Sequence, residues 1–143
     1  MADVVYPLAK FKIVRPGTLG LTSPDSIVWS DDTIKVVPVD TSVYTFSPSH
    51  EFYSSVTAPA RLLTPLSLTG KTTTVPAVLD ADDITFTLVT PGLNIGALIL
   101  FKWTGSDSTS PLVAFIDTAV RLPLLTDGSD VPIVWDSTGI IDF

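Results

Sequence analysis

Few residues of this chain could do chemistry. His50 and Glu51 are the sole histidine and the sole glutamate among 143 residues, and they are adjacent. A base beside a carboxylate is the minimum for moving a proton or orienting a nucleophile. A Ser-His-Asp triad would draw on His50, one of many serines and a distant aspartate. No Gly-x-Ser-x-Gly elbow exists to expose such a serine. Ser47-Pro48-Ser49 precedes His50, and a serine cap followed by proline at the first helical position can start one helical turn. A surface histidine beside that cap is the simpler reading. No catalytic residue is assigned, and the chain is not expected to be an enzyme.

The other acidic residues are fourteen aspartates. Paired carboxylates hydrolyse glycosides, but fourteen aspartates form so many pairs that pairing carries no information. Most stand beside Gly, Ser, Thr or another Asp, as turn residues do. Asp31-Asp32 and Asp127-Gly128-Ser129-Asp130 offer oxygens of the kind calcium takes, without the alternating acids and closing Glu of an EF-hand loop. With no cysteine there is no disulfide framework and no zinc spacing. Gly17-Thr18-Leu19-Gly20 lacks the Lys-Ser/Thr of a phosphate loop. No metal and no cofactor is expected. Trp29, Trp103 and Trp135, with Tyr44, Phe52 and Tyr53, are of the types that build a sugar platform. The alternating runs that end at Trp103 and Trp135 favour core positions instead.

The elements that would carry these residues read as strands. Twelve prolines, eight glycines and many Thr, Ser and Val argue for short strands and tight turns. Asp83–Val89 is the cleanest, with Ile84, Phe86 and Leu88 on a core face and Thr85, Thr87 and Val89 opposite. Leu8–Val14 alternates too, with Lys10 and Lys12 opposite Phe11 and Ile13. Thr33–Val37, Thr41–Phe46, Thr72–Val78, Ala97–Trp103, Pro111–Asp117, Ile133–Asp136 and Ile140–Phe143 complete the set. Pro16 to Ser26 reads as a long loop, and residues 57–70 as a second irregular stretch. Residues 1–7 end in Pro7 and read either as an arm along a neighbour or as a frayed terminus. Residues 8–143 read as a single β domain. One echo is internal: Ile27-Val28-Trp29-Ser30-Asp31-Asp32 resembles Ile133-Val134-Trp135-Asp136-Ser137-Thr138. It is short enough to be shared hairpin grammar. The fold class expected is all-β, an antiparallel β-sandwich or Greek-key barrel with little or no helix.

Composition bounds the partners. The net charge is −7, the isoelectric point about 4.3 and the mean hydropathy +0.45. The eight basic residues are scattered, whereas phosphate neutralisation needs them clustered, so nucleic acid is not an expected partner. The longest apolar run stops at Lys102, short of a membrane span. The first residues, Met-Ala-Asp-Val-Val-Tyr-Pro, do not read as a secretory signal. With 16% charged residues, apolar surface is expected to remain after one small core is filled. That favours oligomerisation or docking on a partner.

The C-terminal third carries a pattern. Leu98–Lys102 is an apolar strand, and Ser110-Pro111-Leu112-Val113-Ala114-Phe115-Ile116-Asp117-Thr118 is a second with an Asp-Thr end. Leu122-Pro123-Leu124, the Asp127–Asp130 turn and Val134-Trp135-Asp136 follow, before a closing apolar strand. This third of the chain resembles a family of small virion proteins of tailed bacteriophages, of the capsid decoration or cement type. The resemblance implies a structural protein that bridges major capsid protein subunits on the outer face of the shell. It implies a homotrimer, made in the host cytoplasm, with no catalytic, cofactor or metal residues. A head–tail, tail or fibre component is the alternative class, as is a β-sandwich that binds a host or carbohydrate.

Overall fold

The computed structural model of the chain describes residues 3–14, 27–74, 78–119 and 121–142, the side chains of Phe11, Ile13, Val14 and Asp142 excepted. The loop expected over 16–26, with its Gly17–Gly20 motif, lies outside the described residues, as do Met1, Ala2, Phe143 and the middle of the run Thr72–Val78.

Among the described residues, twelve strands and one α-helix follow the chain. They are β1 (Val4–Val5), α1 (Pro7–Val14), β2 (Ile34–Val39), β3 (Leu66–Ser67), β4 (Thr72–Thr74) and β5 (Val78–Asp80). After them come β6 (Ile84–Phe86), β7 (Asn94–Ile95), β8 (Ala97–Lys102), β9 (Leu112–Ile116), β10 (Leu124–Leu125), β11 (Val131–Ile133) and β12 (Ile141–Asp142). Every pairing among them is antiparallel, so the fold is all-β, with α1 its one α-helix among the described residues. The principal sheet has the order β1-β9-β8-β2-β3; three small sheets pair β10 with β7, β11 with β6, and β12 with β5 and β4. Among the described residues the principal sheet has two edges, β1 and β3, and does not close on itself.

The centre of that sheet is its most apolar part. Every residue of Ala97–Lys102 and of Leu112–Ile116 is buried. Strands buried on both faces read as continuous apolar runs rather than as alternation, which is how ALILFK and LVAFI look. Covering both faces requires the smaller sheets and the loops to fold over this centre. Ile116 shares one cavity wall with Trp135 and Ile140, while Phe115 meets the rings of Tyr44 and Phe46.

Five strand expectations are corrected. Thr72–Val78 is not one strand: β4 and β5 pair antiparallel, with Thr74 opposite Val78. Of Ile133–Asp136 only Ile133 is strand, at the end of β11. Leu8–Val14 is helix, not strand: Pro7 stands at its first position, where a missing N–H costs nothing. Its buried residues Ala9 and Lys12 lie three apart, the helical spacing. The apparent alternation counted Lys12 as exposed, but its ammonium is buried against Glu51, 2.8 Å away. Thr41–Phe46 is not strand: Thr41–Val43 form a turn closed by Val43 N and Tyr44 N on the Asp40 carbonyl, and Tyr44–Phe46 run on as irregular chain. The strand expected over 83–89 stops at Phe86: Leu88 turns out to solvent, 87% exposed, and Val89 is buried in its place. The cause is a backbone φ of +50° at Leu88, which breaks the period of two.

The N-terminal residues lie within the chain's own sheet. Val4 and Val5 pair with Phe115 and Ala114, and Tyr6 is fully buried. Asp3 fastens the end, its Oδ1 accepting the N–H groups of Asp117 at 2.9 Å and Thr118 at 3.0 Å. Its Oδ2 accepts the Thr118 hydroxyl at 2.6 Å. The Asp-Thr strand end in the C-terminal pattern is thus the clasp for β1.

Candidate functional site

His50 and Glu51 are adjacent in sequence but diverge in space. The Glu51 carboxylate bonds Lys12. His50 Nδ1 meets the Tyr44 hydroxyl at 2.8 Å, and that hydroxyl meets Tyr6 at 2.6 Å. Burial pushes the Tyr6 phenol far above its ordinary range, with the hydrogen bond to Tyr44 adding to it. Burial also raises Tyr44. Both phenols therefore stay neutral, and the network joins Tyr6, the residue before α1, to the loop at 44–50. No serine hydroxyl is bonded to His50 among the described residues, so these residues form neither a dyad nor a triad.

The aspartates act as turn locks. Asp40, Asp127 and Asp136 each accept the backbone N–H and the hydroxyl of the residue two positions on, which is Ser42, Ser129 or Thr138. A carboxylate that accepts two hydrogen bonds is stabilised in its charged form. The Ser42 hydroxyl, then its N–H, lowers the Asp40 pKa, and the same pair on Ser129 lowers that of Asp127. At Asp136 the Thr138 N–H contributes most. Asp130 bonds Leu88 N at 2.9 Å rather than joining Asp127. No group of three His, Cys, Asp or Glu able to hold a metal occurs among the described residues.

The tryptophans separate into two kinds. Trp29 and Trp135 are core residues, 3% and 8% exposed, with Ile27 and Ile133 buried beside them and Asp136 outside. Trp103 is only partly buried, and it lines a cavity of about 260 Å³. Three separate segments build that cavity. Lys35 of β2 is the cross-strand partner of Phe101 on β8, and cross-strand partners share a face. Trp103, two residues further on, continues that face. Over it lies the 53–61 segment: Tyr53 stacks on Phe101 at 3.9 Å and 7°, and the Arg61 guanidinium covers Tyr53 at 3.8 Å.

Arg61 is held from three sides. It donates to Val56 O at 2.7 Å, to Tyr53 O at 3.0 Å and to Asp107 Oδ2 at 2.7 Å. Its planar fork and its affinity for aromatic faces suit this place as lysine would not. Phe101 meets Trp103 edge-on at 6.4 Å and 79°, and the Lys35 ammonium stands 5.1 Å above the indole. The result is a continuous stack, Arg61–Tyr53–Phe101–Trp103–Lys35, buried at Tyr53 and Phe101 and partly exposed at both ends. Burial raises the Tyr53 phenol, opposed by the nearby Arg61 charge.

No family model matches this chain, and no curated protein matches it in sequence.

The cavity was only partly legible in the sequence. Tyr53 and Trp103 stood out as aromatic, but Lys35 and Arg61 did not. Their one signal was each being a lone cation within an apolar stretch, Ile34–Val39 and Ala58–Leu63.

Proposed function

We propose that this chain is a structural virion protein that decorates a phage capsid and cements its shell by bridging major capsid protein subunits. The observation that carries the reading is the pattern from Leu98 to Asp136. It runs through the two central strands, the Asp-Thr clasp, the Leu-Pro loop, the Asp127–Asp130 turn and the Val134-Trp135-Asp136 segment. A cement protein needs a rigid body and apolar contacts, and it needs no active site. In support, large apolar side chains stand in solvent at Val28, Val43, Leu88, Leu125 and Val134. A protein of net charge −7 also suits the outer face of a shell, away from packaged DNA. On this reading the protein is made in the host cytoplasm and assembles on the capsid as a homotrimer. Closed three-fold symmetry buries apolar patches without leaving open ends, and each contact exceeds about 1,000 Å² of total buried area.

Quantitative mass spectrometry of purified virions tests the reading. The expected copy number matches the capsomers of the whole shell, and particles lacking the protein break at lower temperature than intact ones. A copy number matching the single tail vertex, with equally robust stripped particles, replaces cementing by a head–tail, tail or fibre role.

A further inference from the structure

We propose that the cavity between Lys35, Arg61 and Trp103 is a binding site for a carboxylated sugar ring, such as a uronic acid residue of a surface polysaccharide. The inference is independent of the capsid reading, because it rests on the cavity alone.

Four observations carry it. The first is charge. Lys35, Arg61 and Asp107 line the cavity and sum to +1 on a chain of −7. An anion that settles here meets a local attraction against a repelling surface. The second is an ammonium without an anion. Among the described residues, the recorded contact of the Lys35 ammonium is the Trp103 ring, and no carboxylate lies within ion-pair distance. The Arg61 charge, by contrast, is matched by Asp107. Lys35 is therefore the cation a ligand would meet.

The third observation is the aromatic wall. Trp103 is partly exposed in the cavity, beside Leu63 and Pro65. An indole face takes the C–H face of a sugar ring, burying apolar area while leaving the hydroxyls at the rim. The fourth is the hydrogen-bonding inventory. Asp107 gives one carboxylate oxygen to Arg61 and keeps the other to accept a hydroxyl. Arg61 uses three N–H groups on protein acceptors, which leaves two of its five. A polyhydroxylated ring satisfies donors and acceptors together; a purely aromatic acid has no hydroxyl to give Asp107. The volume of about 260 Å³ falls below the range of drug-sized pockets, about 300–1,000 Å³, and suits one sugar residue. An acidic peptide side chain would answer Lys35 but leave the indole wall uncovered.

The site is preorganised. The Arg61–Tyr53–Phe101 stack is tied to the backbone at Val56 and Tyr53, so little order is lost on binding. The charged part of the recognition weakens as salt rises, because Lys35 stands near solvent.

Titration of the full chain with methyl β-glucuronide, methyl β-glucoside and a tri-glutamate peptide, followed by calorimetry and tryptophan fluorescence, tests the proposal. The glucuronide is expected to bind and to change the emission, with the neutral glucoside about tenfold weaker, the factor that 1.4 kcal/mol makes. Lys35→Gln is expected to erase that difference while the melting temperature holds, and Lys35→Arg to restore most of it. The proposal is overturned if the wild-type chain binds neither sugar, or binds both equally. It is also overturned if the peptide binds and the glucuronide does not. These wild-type comparisons decide the matter even if a variant fails to fold.

Discussion

Trp29 and Trp135 grip the same short segment of chain in the same way. The indole of Trp29 donates to the carbonyl of Asp80 at 3.0 Å, and that of Trp135 to the carbonyl of Asp82 at 3.0 Å. Each follows a buried isoleucine and an exposed valine. The repeated Ile-Val-Trp is thus a repeated contact: two segments, over a hundred residues apart in sequence, fasten residues 80–82. Asp83 strengthens the second grip by accepting Trp135 N at 2.9 Å.

Trp135→Ala is expected to cost about 3–5 kcal/mol through lost transfer energy and the cavity left behind. Trp135→Phe keeps most of the volume but leaves the Asp82 carbonyl without its donor, for about 1–3 kcal/mol. Because both indoles hold one segment, Trp29→Phe and Trp135→Phe should be non-additive. Urea midpoints of the two single variants and the double variant measure this; strict additivity would show that the two grips are independent.

Acid should loosen the turns. The folded-state pKa values of Asp40, Asp127 and Asp136 lie below their unfolded values. The native state therefore binds fewer protons than the unfolded chain in the acid range. The contribution is fully present above the unfolded carboxylate value of about 3.9 and is lost as pH falls through the lower folded values. Thermal melts should be flat from neutral pH to about pH 5 and decline below it. Replacing all three aspartates by asparagine should flatten that decline.

Leu88→Gly should stabilise the free protein. A non-glycine residue in the left-handed region costs about 1–2 kcal/mol, while glycine adds about 0.5–1 kcal/mol of backbone entropy to lose. The side chain is 87% exposed, so little burial is forfeited. The first term wins, for a net gain of up to about 1 kcal/mol, visible as a higher melting temperature. A lower melting temperature would mean that the Leu88 side chain makes contacts its exposure does not suggest.

Glu51→Ala should cost more than Lys12→Met. The Lys12 side chain is 4% exposed and that of Glu51 41%. Removing Glu51 strands an ammonium in the interior, left among the described residues with the Phe52 ring at 4.6 Å, at about 3 kcal/mol. Lys12→Met removes the charge and keeps the stem, so it should be near neutral. Guanidinium denaturation of both variants gives the order.

A chelator should leave the melting temperature unchanged. Asp127 is committed to Ser129 and Asp130 to Leu88 N. An ion bound only by the folded state raises stability by mass action, so a fall of several degrees in EDTA would reveal one.

The sequence alone determined the all-β class and the central strands. Residues 97–101 and 112–116 are apolar on both faces, and that pattern survives any packing partner. It also determined the inward Trp135 with Asp136 outside, because a period of two assigns faces by itself. The aspartate turns were legible too, since an Asp and a hydroxyl two residues on bond locally and need no distant partner. What tertiary structure decided was whatever depends on residues far apart. Lys12 became a core residue through Glu51, thirty-nine positions away, and with it Leu8–Val14 became helix. Leu88 left the core because its backbone takes a φ of +50°, a conformation held by its N–H on the Asp130 carboxylate, forty-two positions away. Val4 and Val5 joined the sheet because Asp3 met Asp117 and Thr118 across the length of the chain. The Lys35–Trp103–Arg61 cavity belongs to the same group. Each of its walls is unremarkable in its own stretch, and only the pairing of β2 with β8, under a segment folded over both, places two cations on one aromatic stack.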